Sequence, residues 1–241
     1  MAPDRVRHAI ERALANPWDG RCRHVVTLNP EYVMAARRDA AFAAGIRAAD
    51  LVTADGVGVA LAIRLDRHAR AAAFGRVTGV ELLGWLAEKS GPLGAPLFLI
   101  GAGPGVSEAA ASALRQQQSD AAIAGFWSEG TAEPQHDREA IARIAASGAR
   151  AVAVAYGALG QVLWIERNRA ALAGAGVRLA VGVGGSFDYC AGRVPRAPSV
   201  VQRLGLEWFY RLAREPWRWR RQAVLPLFAV LVLWERIKRP R

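Results

Sequence analysis

The 241-residue sequence has two cysteines, two lysines and no apolar run long enough to cross a bilayer. Cys22 and Cys190 lack metal-ligand spacing, so a disulfide framework is not expected and a reducing compartment suits them. The four histidines, His8, His24, His68 and His136, are scattered, and no HExxH or HxH pair argues for zinc. The N-terminus, MAPDRVRHAIERA, has no apolar core of signal-peptide length, so export is not expected. A GxxxxGK[ST] phosphate loop and a DxD metal pair are missing too.

What is there is apolar and basic. Hydrophobic residues make up 52% of the chain, enough for a sizeable core and too many for general disorder. The net charge of +11 sits mostly at one end. From Arg193 onward twelve basic residues face three acids, leaving residues 1–192 nearly neutral. A basic tail on a neutral body points to an anionic partner at the C-terminus.

Along the chain, continuous apolar runs alternate with helical patterns. Residues 4–14 read as an amphipathic helix, HVVTLNP (24–30) as a strand, and the stretch to about Ala44 as one helix. Further strands are expected at ADLVTADG, PLFLIGAGPG, AAIAGFW, RAVAVAYG and VRLAVGVGG, with helices between them. This predicts an α/β fold: a Rossmann-like, doubly wound, mostly parallel sheet with helices on both faces. A boundary near residue 195 divides a 1–195 Rossmann-like α/β domain from a basic, aromatic-rich helical appendage over 196–241.

In such a sheet ligands bind outside the carboxyl ends of the strands. The groups expected there are Thr27 and Asn29, Thr53 and Asp55, Gly101 to Gly105, Gln161, and Ser186 with Asp188. The GAGPG turn could set backbone N–H groups against a diphosphate, but it lacks full GxGxxG spacing and a ribose-binding acid downstream. A mononucleotide site and a purely structural turn share the alternatives. Asp55, followed by Gly56 in LVTADGVGVA, has three readings: a turn residue, a metal ligand, or a base. Asp66, a helix away, is too distant to be a second metal ligand, while Arg76 on a neighbouring loop suits a substrate pocket.

The tail carries two signals. EWFYRLAREPWRWRRQ interleaves aromatics with arginines, and AVLPLFAVLVLW (223–234) is apolar over twelve residues, short of the ~20 a span needs. Flanking Trp and Arg suit a helix lying among lipid headgroups. The competing roles are a helix packed on the body and a contact in a homo-oligomer. Nucleic acid is not expected as a partner, because no RNA- or DNA-binding motif accompanies the arginines.

Seven stretches taken together resemble one family. TLNPEYV, LVTADGVGV, RVTGVELL, LFLIGAGPG, VAYGALGQVLWIERNR, VGVGGSFDYCAGRVPRAP and RLGLEWFYRLAREPWRWRR follow the order and spacing of the WecG/TagA/CpsF glycosyltransferases, glycosyltransferase family 26. The resemblance covers residues 22–221 and implies a bacterial, inverting, metal-independent transferase without cofactor. The implied donor is a UDP-sugar (N-acetylmannosamine, its uronic acid or glucose) and the acceptor a polyprenyl-diphosphate-linked saccharide. The implied setting is cytoplasmic, peripheral on the inner face of the cytoplasmic membrane, in cell-surface polysaccharide synthesis. It also implies Asp55 as general base, with Thr27 and Asn29 beside it in the catalytic sugar pocket. The resemblance gives substrate-binding roles to Arg76, Gln161 and the appendage residues Arg211, Arg214 and Arg221, while Thr78, Gly101, Gly103, Ser186 and Asp188 are further substrate-binding candidates from their places at loops and strand ends. One departure stands out: Leu159-Gly160-Gln161 replaces the family's frequent Pro-Lys-Gln. The lost lysine motivates an alternative, a non-catalytic protein that binds UDP-sugar or lipid diphosphate on the same fold.

Overall fold

The structure is a computed structural model that describes residues 3–15, 17–65, 76–203, 205–216 and 219–238. The strands are β1 (Arg23–Leu28), β2 (Leu51–Ala54), β3 (Leu97–Gly101), β4 (Ile123–Trp127), β5 (Ala151–Ala155) and β6 (Leu179–Gly182). They form one sheet in the order β2-β1-β6-β5-β3-β4, and every pairing is parallel. Strands buried on both faces need apolar side chains at odd and even positions alike. In β3, Leu97 and Leu99 enter one core while Phe98 and Ile100 enter the other.

The helices around the sheet, in chain order, are α1 (Pro3–Leu14), α2 (Pro30–Ala36), α3 (Ala40–Ala48), α4 (Val57–Leu65), α5 (Gly79–Ser90), α6 (Val106–Gln117), α7 (Asp137–Ser147), α8 (Ala158–Gly174) and α9 (Ser186–Cys190). The first core holds Val6, Ile10 and Leu14 of α1 with Leu82 of α5 and Leu114 of α6. The second holds Ile144 of α7 with Trp164 and Ile165 of α8. The doubly wound α/β architecture expected from the alternation of apolar runs is therefore present, and all its pairings are parallel.

One helix assignment is corrected. The single helix expected from Pro30 to about Ala44 is two: α2 ends at Ala36 with Arg37 as its C-cap, and Asp39 caps α3. The Asp39 carboxylate accepts from the Phe42 N–H at 2.9 Å, an N-cap bond that starts a new helix here.

After α9 come α10 (Ser199–Arg203), α11 (Glu207–Arg214), α12 (Trp219–Gln222) and α13 (Val224–Lys238). The attachments differ in kind. Phe228 of α13 is buried against Met34 and Val59, so α13 is held by apolar packing on α2 and α4. No residue of α11 is buried. Its place depends on polar contacts.

Neighbouring β1 and β6 send their chains to opposite faces, β1 into α2 and α3 and β6 into α9. Such a reversal opens a crevice at the strand carboxyl ends.

Candidate active site

Asp55 stands one residue beyond β2, and its backbone N–H donates to the Leu28 carbonyl at 2.7 Å, fixing the turn to the end of β1. Gly56 follows with φ +87°, a left-handed conformation that favours glycine. From the other side comes the segment leading into α5, where Val77 N–H donates to the Ala54 carbonyl at 3.0 Å. Thr78 caps α5 in a reciprocal pair with Glu81: the Thr78 N–H donates to the Glu81 carboxylate at 2.7 Å, and the Glu81 N–H to the Thr78 hydroxyl at 3.3 Å. Gly79 then brings its N–H to the Asp55 carboxylate. It can come this close to β6 because a Cβ there would meet the Val183 carbonyl oxygen at 2.8 Å.

The acid is poised. Burial pushes Asp55 up from 3.8 to about 7 against the Gly79 N–H and the Arg76 guanidinium, which favour the carboxylate; Glu207 and Glu81 raise it further. Asp55 still keeps some accessible surface, because it lines a cavity of about 520 Å³.

That cavity has two chemical halves. The inner half carries Asn29, Asp55, Thr78, Ser186, Arg196 and Arg211. The outer half is walled by Leu61 and Leu65 of α4 and Leu225, Val232 and Leu233 of α13. Arg211 reaches the inner half from α11, with Nε donating to Glu215 at 2.6 Å, Nη2 3.8 Å from Asp188, and its guanidinium 4.8 Å above the Tyr189 ring. Gly185 admits it: a Cβ at that position would lie 2.8 Å from Arg211 Nη1.

The residues singled out from sequence divide into three groups. Asn29, Asp55, Thr78, Ser186 and Arg211 line the cavity together. Arg76 and Asp188 stand just behind, paired with Glu207 at 2.9 Å and with Arg211. Thr27 and Gln161 are buried within the scaffold instead. The Thr27 hydroxyl donates to the Gly182 carbonyl at 2.9 Å. Gln161 Nε2 donates to the Tyr32 hydroxyl at 2.5 Å, and its Oε1 accepts from Gly184 N–H at 3.0 Å. Gly101 and Gly103 are outside the cavity, at the end of β3, where φ is positive at both and at Ala102 between them. Arg214 is exposed over the Tyr210 ring, and the side chain of Arg221 lies outside the described residues.

Arg196, Tyr189 and Glu207 are among the cavity residues that the sequence does not single out. Arg196 and Tyr189 belong to the SFDYCAGRVPRAP run, and Glu207 is one of only three acids in the basic tail. That rarity was the available signal. Arg193 donates to the Pro104 carbonyl at 3.1 Å, so the Arg193–Arg196 segment reaches from the glycine turn to the cavity. Between β3 and β2 there are four strand steps, ~19 Å at the usual spacing, room for an extended ligand across the sheet top. Among the described residues no three His, Cys, Asp or Glu side chains converge as a metal ion would require.

A doubly wound α/β sheet with a sheltered acid and arginines at its carboxyl edge defines the class: an enzyme of the kind that handles anionic, nucleotide-type ligands. The chain belongs to the glycosyl transferase WecG/TagA/CpsF family, whose family model matches residues 2–241. It is thus a glycosyltransferase, and membership points to cell-surface polysaccharide synthesis with a sugar-nucleotide donor and a lipid-linked acceptor.

Proposed function

We propose that the chain transfers a sugar, with inversion and without a metal, from a UDP-sugar to a polyprenyl-diphosphate-linked saccharide. The observation that carries this reading is the position of Asp55, a carboxyl raised to about 7 on the floor of a cavity polar inside and apolar outside. An acid that is half ionised near neutral pH can accept a proton and still be available as a base. Asp55 takes the proton of the acceptor hydroxyl as that oxygen attacks the anomeric carbon. The bond from that carbon to the UDP oxygen breaks, and UDP leaves with the electron pair. Arg196 and Arg211, with the backbone of the glycine turn, balance the charge that develops on the diphosphate. The apolar outer half suits the first isoprene units of a lipid-linked acceptor. Donors of the N-acetylmannosamine, mannosaminuronic acid and glucose types are the candidates.

The test is transfer from a panel of UDP-sugars to a synthetic short-chain lipid-diphosphate saccharide, read by mass spectrometry. The parent should transfer one donor, and Asp55→Asn should be slower by at least ~10²-fold, as expected for loss of a positioned base. Equal turnover would refute the base assignment. Binding of UDP-sugar with no transfer to any acceptor would favour the non-catalytic alternative, which Gly160 motivates.

We propose further that the chain acts peripherally on the inner face of the cytoplasmic membrane. No described helix is long and apolar enough to cross a membrane. On α13, however, Leu227, Val230, Leu233 and Trp234 are exposed, and Arg236 and Lys238 occupy its last turn. Apolar side chains beside cations suit a helix lying in an anionic interface. Replacing Leu227 and Val230 by serine should abolish flotation with anionic liposomes while leaving the buried Phe228 face intact. Unchanged flotation would refute the assignment.

A further inference from the structure

Glu207 has no role in the reaction just described, yet its carboxylate is where three segments meet. Oε2 is 2.9 Å from Nη1 of Arg76, the residue that bridges to Ala54 beside Asp55. Oε1 is 3.9 Å from Nε of Arg196, in the segment after α9. Glu207 itself opens α11, and about a quarter of its side chain remains exposed. We propose that Glu207 is a positioning residue: it ties Arg76 and Arg196 to α11, holds that helix over the cavity, and acts on Asp55 through its charge. The inference rests on the reading of Asp55 as the base.

The physical case begins with how α11 is attached. With no buried residue, the helix has no hydrophobic anchor of its own, unlike α13 with Phe228. Among its contacts with the body are ion pairs, through Glu207 at one end and Arg211 at the other, and the Arg211 guanidinium also lies over the Tyr189 ring. Ion pairs of partly exposed groups are individually weak, but Glu207 makes two of the three, with Arg76 and Arg196, so removing its charge should loosen the helix. Yet α11 supplies Glu207, Trp208 and Arg211 to the cavity wall. The completeness of the site therefore depends on these few charges.

The second half of the case is electrostatic. Charge reaches Asp55 from several elements: Arg76 from the bridging segment, Glu81 and the Gly79 N–H from α5, and Glu207 from α11, while Glu31 of α2 lines the same cavity. Arg196 and Arg211 lie in the same wall, while the α4 and α13 walls are apolar. Glu207 opposes ionisation of Asp55 directly and also occupies the Arg76 guanidinium that favours it. Both effects have one sign. Removing the Glu207 charge should make Asp55 more acidic.

The test follows the Asp55 carboxyl carbon by NMR in ¹³C-aspartate-labelled full-length protein, with Asp55→Asn identifying the resonance. The parent midpoint should lie near 7. Glu207→Gln should lower it by roughly half a unit or more, as loss of a nearby like charge does. Glu207→Asp, which keeps the charge, should stay near the parent. Tryptic cleavage within α11 should be faster in Glu207→Gln than in the parent. A midpoint unmoved in Glu207→Gln would overturn the electrostatic role. An equal drop in Glu207→Gln and Glu207→Asp would overturn it too, because loosening and hydration alone would then account for the change. Unchanged cleavage would overturn the docking role. Failure of the base reading is separable, since it would appear as an active Asp55→Asn enzyme whatever the titrations give.

Discussion

Replacing Asp55 by Asn should make the protein more stable above neutral pH while removing its chemistry. The folded-state value of about 7 lies above the 3.8 of an exposed aspartate, so the folded protein binds the proton more tightly than the unfolded chain does. The associated stability is fully present below about pH 4 and is lost as pH rises through 7. The full difference corresponds to about 4 kcal/mol at 1.36 kcal/mol per pH unit, an upper limit because water reaches Asp55 through the cavity. A working figure is about 2 kcal/mol, or a melting temperature about 4–8 °C higher for a chain of this size. The assay is urea unfolding of parent and Asp55→Asn from pH 4 to pH 8.5. The two curves should nearly coincide at pH 4 and separate progressively towards pH 8, with the mutant the more stable. A mutant no more stable than the parent at pH 8, or a difference independent of pH, would refute the claim that a buried, reluctantly ionised carboxyl sits here.

The same acid predicts a rate profile in which kcat/KM rises through a midpoint near pH 7 and levels off above it, measured in the lipid-acceptor assay. Gly185→Ala should push the Arg211 guanidinium aside, since the new Cβ would lie 2.8 Å from Nη1. The side chain can move, so thermal stability should change little while KM for the diphosphate substrate rises several-fold. An unchanged KM would show that Arg211 does not meet substrate. Gln161→Leu should cost about 1–3 kcal/mol in denaturant unfolding, because it removes the buried hydrogen bond to the Tyr32 hydroxyl and the one accepted from Gly184 N–H. A loss of activity without a loss of stability would instead place Gln161 in contact with substrate.

Gly160 shows how the fold qualifies a departure that the sequence alone makes look chemical. A Cβ at 160 would stand 3.0 Å from the Ala132 Cβ and 3.5 Å from that of Tyr156. A side chain placed here would require Ala132 to give by a few tenths of an ångström. The glycine is therefore accommodated by tight local packing as well as removing a charge.

How much was legible beforehand depends on the range of the physics involved. The parallel α/β sheet was readable because its signal is local: continuous apolar runs, each ended by small or polar residues, demand burial on both faces. The strand-end location of Asp55 and Asn29 followed from the same pattern, and the Thr78–Glu81 cap is written in the spacing of TGVE. The break before Ala40 was missed because a single capping carboxylate, Asp39, outweighs an otherwise helical composition. Thr27 and Gln161 looked like pocket groups because the residue type names a hydrogen-bonding capacity but not its target. Only the folded chain decides that the target is the Gly182 carbonyl, or Tyr32 and Gly184.

The tertiary structure alone decided which charges meet. Glu207 and Arg76 are 131 positions apart, and Asp55 owes its raised pKa to depth and to groups on separate elements. The sequence by itself determined most of the elements, their parallel arrangement and the sheet edge that carries the candidate site, because propensity and burial act over a few residues. Burial depth, charge pairing and the division of the cavity into polar and apolar halves arise from long-range packing of α11 and α13 on the strand ends. No local pattern encodes them.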